Sequence, residues 1–231
     1  MLAPMKGAAA TALSELEREI DAPGAGLDRL RLVPTPFVPE VRLYLAEDAI
    51  VWWARMEAEA GHALPAPYWA SAWAGGQGLA RHLLDHPELA AGRRVLDLAS
   101  GSGLVAIAAA LAGAAHVVAN DIDPYAVAAV TINARANRVA VTVTGDDLLD
   151  SAGAEADLVL AGDVFYDRAM ADRVLPFLQR ATAGGAEVLV GDPGRGHLPA
   201  GRLAVLADYP VPTTEPSVDS SLRRVQVLRP T

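Results

Sequence analysis

Apolar and polar positions along this chain switch repeatedly between two patterns. Val95-Leu-Asp-Leu98, Val117-Val-Ala119, Val139 to Thr144, Asp157 to Asp163 and Ala186 to Asp192 are short and nearly continuous in apolar character. Runs of that length read as strands buried on both faces, the kind found in parallel sheets. Between them, Gln77 to Asp85, Leu104 to Leu111, Tyr125 to Asn137 behind Pro124, and Arg168 to Arg180 have helical spacing. Strands alternating with helices predict an α/β fold around a mostly parallel sheet. Upstream, Ala8 to Ile20 has a helical pattern with Leu13, Leu16 and Ile20 on one side, and the proline-rich stretch Leu32 to Pro39 should run extended across a surface. Val41 to Leu45, then Ala49 to Trp53 after an acidic Glu47-Asp48 turn, suggest a hairpin leading into a helix through Glu59. Downstream, Leu203 to Ala207 suggests a helix, and Tyr209 to Thr213 and Leu222 to Leu228 suggest two closing strands. The chain divides on this reading into an extension, residues 1–64, packed on a domain formed by residues 65–231.

Composition narrows the possibilities. The 231 residues are 52% apolar, yet no apolar run approaches the ~18 residues of a membrane span. The opening Met1-Leu-Ala-Pro-Met-Lys-Gly is interrupted too early for a signal peptide, so a soluble, cytoplasmic and monomeric protein is expected. The absence of cysteine excludes disulfides, thiolate metal sites and a cysteine nucleophile. The net charge is −9, the close basic pairs are Arg93-Arg94 and Arg223-Arg224, and Lys6 is the sole lysine. That balance disfavours a nucleic-acid backbone and suits a protein or a basic small molecule.

The candidate chemistry centres on Val95-Leu-Asp-Leu-Ala-Ser-Gly-Ser-Gly103. Gly101 and Gly103 let backbone approach a ligand closely, and the helix beginning at Leu104 directs free N–H groups to the same place. Asp121, ending the next strand, suits a ribose hydroxyl pair. Gly101-Ser-Gly-Leu-Val-Ala106 satisfies a dinucleotide fingerprint. Against NAD stands Asp97, a carboxylate that would repel a pyrophosphate and better suits the cationic S-adenosylmethionine. The pattern Asp97-x-Ala99-x-Gly101-x-Gly103 is similar to motif I of the class I methyltransferases, which usually have glycine at the Ala99 position. A terminal strand pair also fits the seven-stranded, Rossmann-like methyltransferase fold, in which a C-terminal strand runs antiparallel to the rest.

A second stretch, Pro65-Ala-Pro-Tyr-Trp-Ala-Ser-Ala-Trp-Ala-Gly-Gly-Gln77, places Tyr68, Trp69 and Trp73 beside two glycines. These aromatics either line a pocket for a cation or staple the extension to the sheet. Together with Asn120-Asp-Ile-Asp-Pro124, Gly162-Asp-Val-Phe-Tyr-Asp167 and Gly191-Asp-Pro-Gly-Arg195, these motifs resemble the electron-transfer flavoprotein β-subunit lysine methyltransferases, from about Val33 onward. The resemblance implies methylation of lysines on the flavoprotein β-subunit. It implies a donor site of Trp73, Asp97, Ala99, Gly101, Gly103, Asp121, Ile122 and Asp147, with Asp146 the open alternative for contacting adenine. Asp163, Phe165 and Tyr166 would receive the lysine, with Tyr68 and Trp69 at the substrate mouth. A ribosomal protein or a small amine remains an alternative acceptor, and an NAD-dependent oxidoreductase a more distant reading. From the residues alone, Asp163 could instead cap the helix at Arg168, and Phe165 and Tyr166 could be ordinary packing. The loop Gly191 to Arg195 carries no assigned chemistry. His82 and His86 have the spacing of metal ligands but lack a metalloprotease partner, so they read as a solvated helix face and no metal is expected.

Overall fold

The computed structural model describes residues 7–21, 26–151, 155–212 and 222–231. In chain order the elements are α1 (Gly7–Asp21), β1 (Leu30–Thr35), β2 (Val38–Ala46), α2 (Ala49–Ala60), α3 (Ala74–Asp85), β3 (Arg94–Leu98), α4 (Leu104–Leu111) and β4 (His116–Asn120). There follow α5 (Pro124–Asn137), β5 (Thr142–Thr144), β6 (Leu158–Gly162), α6 (Arg168–Ala183), β7 (Glu187–Asp192), β8 (Leu203–Pro212) and β9 (Leu222–Pro230). Strands β3 to β9 form one sheet in the order β5-β4-β3-β6-β7-β9-β8, with β9 antiparallel to both neighbours and the other pairs parallel. This is the class I methyltransferase arrangement.

Period-two alternation explains the layering. Leu158 and Leu160 of β6 face a core shared with α3, α4 and α5, while Val159 and Ala161 face one shared with α6. Chain direction reverses at β3, running outward to β4 and β5 and then back to β6 and β7. A crevice therefore opens at the carboxyl ends of β3, β4 and β6.

Residues before the sheet add a layer over α5. Ala12 and Leu16 of α1 pack with Trp52, Trp69 and the α5 residues Ala126, Ala129 and Ile132. Strand β2 pairs with β1, and on its other side the N–H groups of Arg42 and Tyr44 donate to the side-chain oxygens of Asn137 and Asn133 at 2.9 and 2.7 Å. Side-chain amides thus satisfy an edge that another strand would otherwise pair. The same buried Asn133 donates to the Ser102 carbonyl at 2.8 Å, tying this layer to the glycine turn.

Four expectations change. The hairpin is β1–β2, so Leu32 to Pro39 is not a lone extended segment but supplies most of one strand and the start of the next. Ala49 to Trp53 is helical, because Asp48 accepts from the N–H groups of Ile50 and Val51 and caps a helix that its β-branched residues disguise. Leu203 to Ala207 is a strand: its short apolar run suits either period, and pairing with β9 decides it. The expected strand end at Thr213 lies outside the described residues. His82 is buried, its ring nitrogen Nδ1 3.0 Å from the Tyr209 hydroxyl, so of the two histidines only His86 is solvated. Among the described residues there is no cluster that could hold a metal, and no helix long and apolar enough to cross a membrane.

The first turn of α3 is pressed against the sheet. A Cβ on Gly191 would lie 2.1 Å from the Gly75 carbonyl oxygen, and one on Gly162 would lie 2.9 Å from the Gly76 Cα. Backbone meets backbone here, and nothing flexible can yield. Gly191→Ala should therefore cost about 3 kcal/mol, at the upper end for overpacking, in urea unfolding. Gly196→Ala, where a methyl meets nothing within 4 Å, should change stability by less than about 0.5 kcal/mol.

Candidate active site

A cavity of about 600 Å³ occupies the crevice, a size suited to a small-molecule cofactor together with one reacting side chain. One wall is the turn after β3. Ala99 and Gly101 both have positive φ, +54° and +53°, and both line the cavity. Gly103, φ +81°, begins α4. Asp121 stands at the end of β4. Its Oδ2 accepts from the Gly101 N–H at 2.9 Å and its Oδ1 from the Asp123 N–H at 3.0 Å. Burial raises its pKa against those hydrogen bonds. Each oxygen keeps a second lone pair, so the carboxylate can accept from a diol while the turn holds it in place. Ile122, 69% exposed, forms the adjacent rim.

Several expected donor-site residues lie behind this wall rather than on it. Asp97 is buried, and its Oδ2 accepts from the Ala106 N–H at 3.0 Å, one of the unpaired donors in the first turn of α4. It anchors helix to strand and does not line the cavity. Gly103 is also absent from the lining: a Cβ there would crowd Val130 at 3.2 Å, so its glycine serves the approach of α5. Of the two candidate acids after β5, Asp147 lines the cavity, whereas exposed Asp146 turns toward the Thr144 hydroxyl at 3.1 Å. Arg173, which the sequence reading missed, holds Asp147 at 3.0 Å and Asp150 at 2.7 Å and also lines the cavity.

The opposite wall is built from three separated segments. Asp163, at the end of β6, is 7% exposed and has φ +56°. Its Oδ2 accepts from the Gly76 N–H at 2.9 Å, and its Oδ1 accepts from Nε and Nη2 of Arg195 at 3.0 and 2.7 Å. Burial raises its pKa, with Arg195 acting against that. Asp163 is not the cap of α6; Asp167 is, accepting from Met170 N–H at 2.9 Å. The Arg195 guanidinium lies 5.4 Å from the Trp73 ring centre, and Tyr68 bridges Trp73 and Tyr166 at ring separations of 5.9 and 5.4 Å. Tyr68, Trp73, Tyr166 and Arg195 all line the cavity, so Trp73, expected at the donor site, stands instead with Tyr68 and Arg195 on this opposite wall.

Two aromatic assignments are corrected. Phe165 is fully buried, packs with Val174 and Phe177 and does not reach the cavity. Trp69 touches the cavity wall but is only 2% exposed, set edge-on to Trp52 and stacked on Tyr125. It is an anchor between the N-terminal layer and α5, each such pair adding about 0.5–1.5 kcal/mol beyond area burial. Neither pair lies in a strand: Tyr68 and Trp69 belong to the short 3-10 helix Tyr68–Ala70, and Phe165 and Tyr166 to the turn between β6 and α6, so hydropathy alone does not give the direction of either neighbour. Arg195 was missed because its link to Asp163 spans 32 positions, which no local pattern records.

Two predictions follow from the donor wall. Burial pushes the Asp97 carboxyl up to about 7, against ~3.9 in an unfolded chain. The folded state therefore holds its proton the more tightly. Relative to Asp97→Asn, the wild type should be most stable below about pH 4, lose up to about 4 kcal/mol as pH rises to about 7, and change little above that. Urea unfolding of both proteins at four pH values reads this out. Alanine in the left-handed region costs about 1–2 kcal/mol, partly offset by glycine's greater freedom when unfolded. Ala99→Gly should thus stabilise the protein by about 0.5–1 kcal/mol in the same assay.

Known proteins resemble this chain. The family model described as Ribosomal protein L11 methyltransferase (PrmA) matches residues 81–165. The electron transfer flavoprotein beta subunit lysine methyltransferase of Danio rerio is 47% identical over 159 residues, covering 68% of this chain and 61% of that one. The proteins of the same name from Rattus norvegicus and Homo sapiens are 40% and 39% identical over 181 and 178 residues. Those matches cover 75% and 74% of this chain, and 70% and 67% of the relatives. The sheet order, the glycine turn facing Asp121 and these identities lead to one conclusion: the chain belongs to the electron transfer flavoprotein beta subunit lysine methyltransferase family, and its methyl donor is S-adenosylmethionine.

Proposed function

We propose that this protein methylates lysine side chains of the electron-transfer flavoprotein β-subunit, and that Asp163, Tyr166, Tyr68 and Trp73 form the acceptor wall. The single observation behind this reading is the pairing of two walls in one cavity: a backbone turn with Asp121 on one side, a carboxylate set among aromatic rings on the other. Gly101 and Asp121 would hold the ribose end of the donor, and Asp147 its adenine end. S-adenosylmethionine supplies an activated methyl group, whose bond to sulfur breaks as the bond to the acceptor nitrogen forms.

What remains for the protein is to deliver a neutral amine in line. At pH 7 only about one lysine in 2,500 is unprotonated in water. Tyr68, Tyr166 and Trp73 exclude water around the aliphatic stem, and burial favours the neutral amine. Asp163 sits where it can orient the nitrogen, and holding the nucleophile within reach is the larger part of such a reaction. The acceptor of the ribosomal protein L11 methyltransferases is a weaker reading here. That family match ends at Phe165, before Tyr166 and Arg195, and so covers the donor wall while leaving most of the acceptor wall outside it.

Intact-mass analysis of purified flavoprotein β-subunit, incubated with this protein and S-adenosylmethionine, should show a gain of one to three methyl groups. Asp121→Ala should weaken donor binding about 10- to 100-fold by calorimetry, the effect of losing charge-assisted hydrogen bonds. Asp163→Asn should lower methyl transfer by a similar factor while leaving donor affinity within about threefold. Donor binding without any mass gain would retain the methyltransferase and discard this acceptor.

A further inference from the structure

The loop after β7, Gly191-Asp-Pro-Gly-Arg195, has a physical purpose. Asp192 is fully buried, and its Oδ1 accepts from the N–H groups of both Gly194 and Arg195 at 2.7 Å. Gly194, at φ +86°, completes the turn. The turn delivers the Arg195 side chain, 18% exposed, into the cavity between Trp73 and Asp163. Asp163 thereby accepts from three N–H groups, two from Arg195 and one from Gly76. A lysine reaching this wall meets a carboxylate that is already neutralised, with a fixed guanidinium beside it.

We propose that Arg195 is a positioning residue that sets the protonation state of the acceptor amine: held against Asp163 and Trp73, it prevents the pocket from binding lysine as an ammonium ion and admits it as the free base. This inference rests on the lysine reading above. An uncompensated carboxylate within ~4–6 Å would raise the pKa of a bound amine by about 1–3 units and hold its lone pair in an N–H bond. A fixed cation at that range acts in the opposite sense. The proton shed on entry passes to water at the cavity mouth, so no group in the pocket has to accept it before the N–C bond forms.

The charged and titratable groups facing this pair come from every side. Asp163 and Asp192 close the ends of β6 and β7, Tyr68 precedes α3, Tyr166 and Asp167 follow β6, Asp121 ends β4 across the cavity, and His197 is exposed on the same loop as Arg195. Arg195 is thus set against two buried carboxylates. Burial raises the pKa of Tyr166 above its ordinary value.

The test is single-turnover methyl transfer to saturating flavoprotein β-subunit between about pH 6.5 and 10, using the full chain as wild type, Arg195→Gln, Arg195→Lys and the Asp163→Asn/Arg195→Gln pair. At saturation the rate reports ionisations in the complex, whereas kcat/KM reports those of the free species. In Arg195→Gln the acid limb of the saturated rate should move up by about one pH unit, a loss of about tenfold below the limb that is recovered at high pH. Its kcat/KM limb should stay in place. Arg195→Lys should keep the wild-type limb, and the double variant should return toward it. An equal loss at every pH, or Arg195→Lys behaving as Arg195→Gln, would overturn the proposal and leave Arg195 a structural residue. A wild type that binds donor but never methylates a lysine would overturn the lysine reading itself.

Discussion

A carboxylate that is 7% exposed has to be paired, and the way Asp163 is paired fixes most of what surrounds it. Its two oxygens join the first turn of α3 to the loop after β7, and its own N–H donates to the Gly191 carbonyl at 2.9 Å. Three segments remote in sequence are held at one point by a single side chain whose backbone occupies the strained left-handed region. The glycine at position 75 follows from this, since a Cβ there would lie 2.5 Å from that carboxylate and 2.4 Å from the Gly191 carbonyl. The aromatic wall follows too, because Trp73 begins α3 and takes its position from the same contact.

The two halves of the cavity are built by different means. The wall proposed for the donor is mostly backbone: a strand, a turn through Ala99 and Gly101, and a helix whose first turn is tied to Asp97. Such a wall reads the shape and hydrogen-bonding edges of a cofactor and depends little on neighbouring side chains. The wall proposed for the acceptor is made of side chains from before α3, after β6 and after β7. Its side chains come from segments outside the strand-turn-helix unit that builds the first wall.

The sequence made the donor wall readable because its signal is local. Val95 to Gly103 and Asp121 lie within one strand-turn-helix-strand unit, and glycine spacing records the backbone directly. The sheet was readable for the same reason, through runs such as Leu158 to Gly162 that are apolar on both faces. Less visible were contacts made across distance. Arg195 reaches Asp163 over 32 positions, and Asn133 reaches Tyr44 over 89. Direction was also hidden: nothing in Val164-Phe-Tyr-Asp167 shows that Phe165 turns into the core while Tyr166 faces the cavity. The helix at Ala49 and the strand at Leu203 were misread because short apolar runs fit both periods, and the deciding partners, Asp48 and β9, act through hydrogen bonds rather than hydropathy.

The close approach at the head of α3 bears on how this family can diversify. A side chain at position 75 would collide with both the Asp163 carboxylate and the Gly191 carbonyl, and one at position 191 would collide with position 75. These three sites therefore form one heritable unit. A lineage that abandons the acid at 163 removes one of the two collisions at position 75, while the Gly191 carbonyl, 2.4 Å from a Cβ there, still confines that position to glycine. Drift toward a new acceptor chemistry should begin at Tyr68 or Tyr166, which are exposed and free of that constraint, before it reaches the acid itself.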